Sequence, residues 1–183
     1  MTDQATMLPE KLVELARRVV AENKAAGRRV ALAESCTGGL VAAAITEIPG
    51  SSEVLDAGFV TYSNDAKRVT LGVSLDVLET FGAVSIAVAW RMAQGALEHS
   101  SADVAVAITG IAGPGGGTDK KPVGTVVFAK AVRGADPRDI HADSRLFEDN
   151  GRAGVRLQAA SCALELLLPG AAEPEASAEE PAP

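Results

Sequence analysis

The chain has 183 residues, which suits one domain with a sizeable hydrophobic core and is short for two. Apolar residues make up 47% of the chain but aromatic residues only 3%, so small aliphatic side chains must fill that core. The formal charge of −7 disfavours general nucleic-acid binding, because an acidic surface gains nothing from releasing the counterions of a phosphate backbone.

The cysteines and the termini narrow the class of protein further. Cys36 and Cys162 form no Cys-x-x-Cys pair and no cluster with histidine, so we expect no zinc site, no disulfide and no cofactor. Reduced thiols indicate a cytoplasmic protein. The first residues lack the basic and apolar regions of a signal peptide, and no segment approaches the roughly 20 apolar residues that cross a bilayer. We therefore expect no membrane contact.

Helices and strands alternate in the first half of the chain. Apolar residues at helical spacing predict a helix over 8–25, and the apolar run 29–33 predicts a buried strand. A polar glycine turn follows over 34–39, and then a helix over 40–48. A second strand is predicted over 54–62, before a Ser-Asn-Asp cluster at 63–65 that is typical of a helix N-cap.

The second half completes an α/β pattern. We predict a short helix over 76–81, a longer one from the cap Ser85 to about His99, and a buried strand over 102–109. Strands over 123–132 and 139–147 are close enough to pair antiparallel, and a helix follows over 151–168. The sequence predicts a three-layer α/β/α sandwich over residues 1–168, with a mostly parallel, mixed sheet of about five strands. Residues 169–183 are Ala, Glu and Pro without a large apolar residue, which predicts a disordered tail.

Three predicted strands end in polar or glycine-rich segments, over 34–39, 62–67 and 109–117. Ligands bind outside the carboxyl ends of strands in open α/β sheets, so these segments predict a site at one edge of the sheet. The glycine-rich segment suits backbone binding of a phosphate or an oxyanion, although it lacks the Gly-Lys-Ser/Thr of a Walker loop. A surface connection without function would explain its composition equally well.

Individual side chains in these segments allow two interpretations each. The amides of the 34–39 turn either face an anion at the following helix, or Ser35 and Thr37 cap that helix; capping is favoured. Ser52 needs a base, and Lys67 can serve if burial lowers its pKa, whereas His99 and His141 are expected at the surface. Arg152 suits a bidentate phosphate contact or ordinary surface charge.

Six motifs occur in order with short gaps: AESCTGGL (33–40), PGSS (49–52), GFVTYSNDAK (58–67), GAVS (82–85), TGIAGPGGG (109–117) and KPVGTV (121–126). Together they resemble the CinA C-terminal domain family of nicotinamide-nucleotide amidohydrolases, over roughly residues 8–168. Each motif alone is weakly specific, whereas six in order are strongly so. Some members carry an extra N-terminal domain, and we expect this chain to be the stand-alone form.

The resemblance implies a mixed-sheet α/β/α fold, often in a homo-oligomer, and hydrolysis of nicotinamide mononucleotide to nicotinate mononucleotide and ammonia. That reaction is a step of pyridine-nucleotide recycling and needs no metal in this family. By position, the resemblance makes Ser52 the nucleophile, Lys67 its base and Tyr62 an assisting group. It implies substrate contacts in the two glycine turns and the last helix: Ser35, Thr37, Gly38, Gly39, Thr109, Gly110, Gly113 and Arg152.

Two alternatives to this function stay open. A non-catalytic module that binds a pyridine nucleotide or another phosphorylated ligand would use the same loops, and release of ammonia separates it from an enzyme. An amidase for a different nucleotide amide is the third hypothesis, and a substrate panel would distinguish it.

Overall fold

The computed structural model describes residues 6–136, 138–148 and 150–171, so most of the predicted tail lies outside the described residues. Helices α1 to α6 span Glu10–Ala25, Leu40–Thr46, Asn64–Leu71, Leu75–Phe81, Ile86–Glu98 and Gly151–Leu167. Strands β1 to β5 span Val30–Glu34, Leu55–Val60, Val104–Gly110, Thr125–Val132 and Ala142–Leu146.

The five strands form one mixed sheet in the order β2-β1-β3-β4-β5. Strands β2, β1 and β3 are parallel, whereas β4 pairs antiparallel with β3 on one side and β5 on the other. The predicted antiparallel pair and the predicted α/β fold are both confirmed. The glycine-rich segment connects β3 to β4, and antiparallel neighbours need no crossover helix.

The sheet separates two helical layers with different side-chain sizes. Helices α1, α2 and α6 pack on the face that presents larger residues such as Leu32, Ile108 and Phe128. Helix α5, flanked by α3 and α4, packs on the other face, where alanines such as Ala31 and Ala105 point. Successive strand residues point to opposite faces, so one strand supplies both sets. The small residues of the α5 layer provide the low-aromatic core that the composition predicts.

Helix α3 is held in a fixed position, which matters because it carries Lys67. Ser63 caps its N-terminus by accepting a hydrogen bond from the backbone N–H of Ala66 at 3.0 Å. At its other end α3 lies against α5 at Gly95, where an added Cβ would be 2.1 Å from the carbonyl oxygen of Leu71. Only glycine permits this approach.

Helix α5 begins as the sequence predicts, with the Ser85 hydroxyl accepting from the N–H of Val88 at 3.3 Å.

Within the described ranges, no helix combines the length and apolar composition that crossing a bilayer requires.

Candidate active site

A cleft opens at the carboxyl edge of β1, β2 and β3, where the three polar segments predict a site. The segments that follow these strands form its floor and sides, together with the α4–α5 turn and the start of α6. The lining residues are Ser35, Cys36, Tyr62, Asn64, Lys67, Ala83, Val84, Thr109, Gly110, Ala112 and Arg152.

Three buried hydroxyl side chains lie side by side across this edge. Ser35, Thr61 and Thr109 occupy equivalent positions in the register of β1, β2 and β3. Adjacent strands are about 4.8 Å apart, and equivalent positions point to the same face. The row therefore faces the layer of α3 and α5.

Lys67 of α3 contacts this row of hydroxyl residues from the helical layer that covers it. Its Nζ donates to the Ser35 Oγ at 3.0 Å and to the carbonyl oxygen of Thr61 at 2.9 Å. The lysine side chain is fully buried at 1% exposure. The structure thus brings a lysine amine and a serine hydroxyl into direct hydrogen-bonding distance in the cleft.

The surroundings of Lys67 favour its uncharged form. Burial lowers the pKa of Lys67, because desolvation penalises the ammonium. Its hydrogen-bond partners are a hydroxyl and a carbonyl, and no carboxylate of the described residues forms a salt bridge with it. A neutral amine can accept the proton of a serine, which a solvated ammonium cannot.

Cys36, which follows Ser35, is the other candidate nucleophile that the cleft offers. Burial raises the pKa of the Cys36 thiol to about 11, and its side chain packs in the core on the α2 side of the sheet. The thiol therefore stays protonated near neutral pH, which is typical of a structural cysteine.

The N-terminus of α2 is occupied by a carboxylate of the chain itself. Glu34 is fully buried; its Oε2 accepts from the N–H groups of Gly39 at 3.0 Å and Val41 at 3.2 Å, and its Oε1 from Ala42 at 2.9 Å. These are the donors that a ligand anion would use at a helix N-terminus. The interpretation of the helix N-terminus as a ligand-anion site is thereby corrected, since Glu34 occupies the N–H groups of Gly39, Val41 and Ala42.

Ser35 and Thr37 do not cap α2 either. The N-cap position is Gly39, without a side-chain cap hydrogen bond, and Glu34 from the preceding strand replaces it. Arg156 of α6 braces the same turn by donating to the carbonyl oxygen of Thr37 at 2.8 Å. Neither Glu34 nor Arg156 has a role predicted from the sequence. The position of Glu34 immediately before a glycine turn is the signal that could have indicated its role.

The braced turn leaves two backbone donors beside Ser35. The N–H groups of Cys36 and Thr37 interact with the Cys36 sulfur and donate to no oxygen acceptor among the described residues. A sulfur is a weak acceptor, and backbone N–H groups beside a reacting hydroxyl are a common source of oxyanion stabilisation in acyl transfer. The β1–α2 turn therefore places a hydroxyl, a lysine amine and two weakly engaged donors together.

Arg152 bridges the mouth of the cleft. It is the second residue of α6, and it donates through Nη1 to the carbonyl oxygen of Gly113 at 2.8 Å and through Nη2 to the Tyr62 hydroxyl at 2.5 Å. Tyr62 itself is 58% exposed. The guanidinium thus links the glycine-rich segment to the β2–α3 turn at the mouth of the cleft.

The remaining predicted residues divide into lining and supporting positions. Thr109 and Gly110 line the cleft, but the Thr109 hydroxyl donates its proton to the carbonyl oxygen of Ala83 at 2.8 Å. Gly113 contributes its carbonyl to Arg152 rather than lining the cleft. Thr37, Gly38 and Gly39 lie in the turn behind Ser35 and are not lining residues.

Ser52 lies elsewhere. It is exposed in a short 3₁₀ turn, Ser51–Glu53, just before β2, whereas Lys67 follows the end of that strand. The six residues of β2 alone span about 16 Å at about 3.3 Å per residue. Within one chain Ser52 is therefore too far away to pass its proton to Lys67; the expected Ser52–Lys67 contact is not formed, and the serine that contacts Lys67 is Ser35.

Neither histidine is among the residues that line the cleft beside Ser35. His99 ends α5, where its Nδ1 is 2.8 Å from the carbonyl oxygen of Gly95, and His141 precedes β5. Among residues 6–136, 138–148 and 150–171, no three His, Cys, Asp or Glu side chains are grouped as a metal site requires.

The family model and the sequence relatives place this chain in the same protein family. The model of the CinA C-terminal domain matches residues 12–170. A nicotinamide-nucleotide amidohydrolase PncC of Enterobacter agglomerans is 52% identical over 162 residues, covering 88% of this chain and 96% of that protein. A CinA-like protein of Mycobacterium avium is 52% identical over 143 residues, covering 78% of this chain but only 33% of the longer relative.

Solved structures agree with the sequence relatives. The competence/damage inducible protein CihA of Agrobacterium tumefaciens superposes with a TM-score of 0.84 at 50% identity, covering 89% of this chain and 97% of that one. This chain therefore spans nearly all of some relatives and about a third of others.

Proposed function

Because the chain belongs to the CinA C-terminal domain family, we propose that it hydrolyses the carboxamide of nicotinamide mononucleotide to nicotinate mononucleotide and ammonia. The observation that carries the proposal is the 3.0 Å contact between Lys67 Nζ and Ser35 Oγ in the cleft. The name of the Enterobacter agglomerans relative supports the substrate. Such a reaction would return the nicotinamide nucleotide to pyridine-nucleotide synthesis.

Ser35 is the nucleophile in this mechanism and Lys67 its base. Neutral Lys67 takes the hydroxyl proton while Oγ bonds to the carboxamide carbon, and the carbonyl electron pair moves onto oxygen. The N–H groups of Cys36 and Thr37 stabilise that oxyanion, which in acyl transfer is usually among the largest contributions to rate. The C–N bond then breaks, and ammonia leaves with the proton that Lys67 carries.

Hydrolysis of the acyl-enzyme uses the same groups in the reverse direction. Lys67 removes a proton from water, the hydroxide bonds to the ester carbon, and Ser35 recovers its proton as nicotinate mononucleotide departs. Desolvation lowers the pKa of Lys67 and so favours the uncharged amine that each half-reaction starts from. One buried lysine therefore serves both steps.

Tyr62 and Arg152 hold the nucleotide end in this proposal. Tyr62 accepts a hydrogen bond from Arg152, so its own proton is available to an acceptor of the nucleotide in the cleft. Arg152 exchanges its Gly113 contact for the substrate phosphate. Binding energy gained at the phosphate then fixes the position of the distant carboxamide.

The cellular setting forms part of the same proposal. Two free cysteines support a cytoplasmic protein, and the charge of −7 supports a small-molecule substrate rather than nucleic acid. Val60 of the edge strand β2 and Val69 of α3 are 52% and 74% exposed, and exposed apolar side chains with an open sheet edge support a homo-oligomer.

The test is ammonia release from nicotinamide mononucleotide by the purified protein, with and without a metal chelator. We expect the same rate in both conditions. If the protein binds the mononucleotide but releases no ammonia, it is a binding module and not an enzyme. Release from another nucleotide amide but not from this one would move the proposal to a different substrate.

A further inference from the structure

The turn between α4 and α5, residues 82–85, forms one wall of the cleft through Ala83 and Val84. Four consecutive carbonyl groups in and before this turn accept hydrogen bonds from side chains. Ser85 Oγ donates to Gly82 at 2.9 Å and Thr109 Oγ1 to Ala83 at 2.8 Å. The other two carbonyls share a single donor from a distant loop, which is Lys121.

Lys121 reaches this turn from the segment that follows the glycine-rich loop. Its Nζ donates to the carbonyl oxygens of Val84 at 2.9 Å and Phe81 at 3.4 Å. Its own backbone is fixed by Thr118, whose N–H donates to the Lys121 carbonyl at 2.8 Å and whose hydroxyl accepts from the Lys121 N–H at 3.0 Å. The lysine is therefore anchored at its base and at its tip.

Hydrogen bonds from an ammonium to carbonyl oxygens are charge-assisted and stronger than neutral ones. The C=O and N–H of one peptide unit point in opposite directions, so fixing a carbonyl also fixes the direction of the next N–H. Lys121 and Thr109 together thus set the orientation of the peptide units that face the substrate on this wall.

We infer that Lys121 is a positioning residue, which holds the α4–α5 turn against the glycine-rich side of the cleft and thereby sets the width of the nucleotide site. The inference rests on the proposed function for the identity of the nucleotide, but not for the contact itself. Lys121 touches no reacting atom in this account and acts through Ala83 and Val84.

Loss of Lys121 should loosen the turn without unfolding the domain. Of the two carbonyl acceptors of Lys121, Phe81 belongs to an exposed residue and Val84 to a half-buried residue that lines the open cleft, so water can replace the ammonium at both. Helices α4 and α5 keep their own caps, Ser74 and Ser85. A substitution of Lys121 therefore tests how the α4–α5 turn is positioned and does not test the stability of the domain.

The chain offers a matched control in the preceding residue. Lys120 is exposed and forms no hydrogen bond or ion pair with the described residues. Lys120→Met and Lys121→Met remove the same charge from the same loop, and Lys121→Arg keeps a cation that can reach the turn.

We expect Lys121→Met to raise the KM for nicotinamide mononucleotide about tenfold to a hundredfold, the range that small misplacements produce, with kcat within about threefold. Lys120→Met should leave KM within about twofold of the wild type, and Lys121→Arg should recover part of the loss. A destabilised enzyme would show the opposite split, because a smaller folded fraction lowers kcat and leaves KM unchanged.

Hydrogen exchange followed by mass spectrometry gives a second readout that needs no turnover. The amides of Gly82 and Val88, which border the turn and donate to Leu78 and Ser85, should exchange faster in Lys121→Met and at the wild-type rate in Lys120→Met. An unchanged KM, or the same effect from both variants, would overturn the inference. If the wild type releases no ammonia from the mononucleotide, the proposed function fails, and unchanged exchange at Gly82 and Val88 would then overturn the positioning role separately.

Discussion

The chain carries serines in two turns at opposite edges of one sheet. Ser35 follows β1 at the carboxyl edge, is buried and contacts a buried amine; Ser52 precedes β2 at the other edge and is exposed. Both turns contain glycine and small polar residues, so their local sequences suit a nucleophile equally well. The difference shows that the fold supplies Lys67 to one turn only, and the proposed mechanism therefore assigns the reacting hydroxyl to Ser35.

The largest expected effect comes from removing one hydroxyl at each edge. Ser35→Ala should lower kcat for ammonia release by about 10⁴-fold or more, the size of loss seen when a hydrolase loses its nucleophile. Ser52→Ala, the matched control, should stay within about threefold of the wild type. Steady-state kinetics with ammonia detection measure both, and the reverse ranking would restore Ser52 as nucleophile.

Lys67→Met should come next, with a loss of about 10²–10⁴-fold in kcat, because Lys67 is the basic side chain that contacts the Ser35 hydroxyl among the described residues. The pH profile supplies a sharper measure. The wild-type kcat/KM should rise with pH as Lys67 loses its proton and should level off below the usual range of lysine titration, since burial lowers this pKa. A profile that falls over the same range would exclude a neutral lysine.

Folding stability should follow the same titration. The folded pKa of Lys67 lies below the unfolded one, so the unfolded chain binds more protons between the two values, and the free energy of unfolding rises with pH across that window. Lys67→Met removes this component because the side chain no longer titrates. Denaturant unfolding at several pH values measures the difference between the two proteins.

Glu34→Gln tests the support behind Ser35. The amide keeps one acceptor oxygen but turns an NH₂ toward backbone N–H groups, so the free energy of unfolding should fall by about 2–3 kcal/mol. Glu79→Gln on the exposed side of α4 should stay within about 0.5 kcal/mol. Equal stabilities for the two variants would mean that Glu34 does not secure the turn.

Arg152→Lys should give the smallest effect, a rise in KM of about tenfold with kcat little changed, because one ammonium cannot reproduce a bidentate guanidinium contact. The wild-type guanidinium reaches both Gly113 and Tyr62. Measuring KM for the mononucleotide tests this, and a loss confined to kcat would instead place Arg152 near the reacting carboxamide.

Much of the fold follows from local pattern, and parts of the site do too. Alternating apolar periods predict all five strands within a few residues, and Ser63 and Ser85 mark helix starts correctly. The cleft at the ends of β1, β2 and β3 follows from strand polarity. The sequence offers Lys67 as a possible base, because any lysine can act as one when burial lowers its pKa.

The pairing of Lys67 with Ser35 does not follow from sequence spacing. It depends on the register of β1 against β2 and on the close approach of α3 to α5 at Gly95, which are long-range features. The same holds for Glu34, whose partners lie five to eight residues away across a turn of unusual shape. The pattern of residue types therefore indicates which side chains could form the site, whereas the three-dimensional packing determines which of them are in contact.

The most direct measurement is the location of the acyl-enzyme after a single turnover is quenched with acid. Cleavage after Glu34, Glu47 and Glu53 separates Ser35, in the 35–47 peptide, from Ser51 and Ser52, in the 48–53 peptide. We predict a mass increase equal to the nicotinate mononucleotide acyl group on the 35–47 peptide, and its absence in Ser35→Ala. The same increase on the 48–53 peptide would contradict the assignment of the nucleophile.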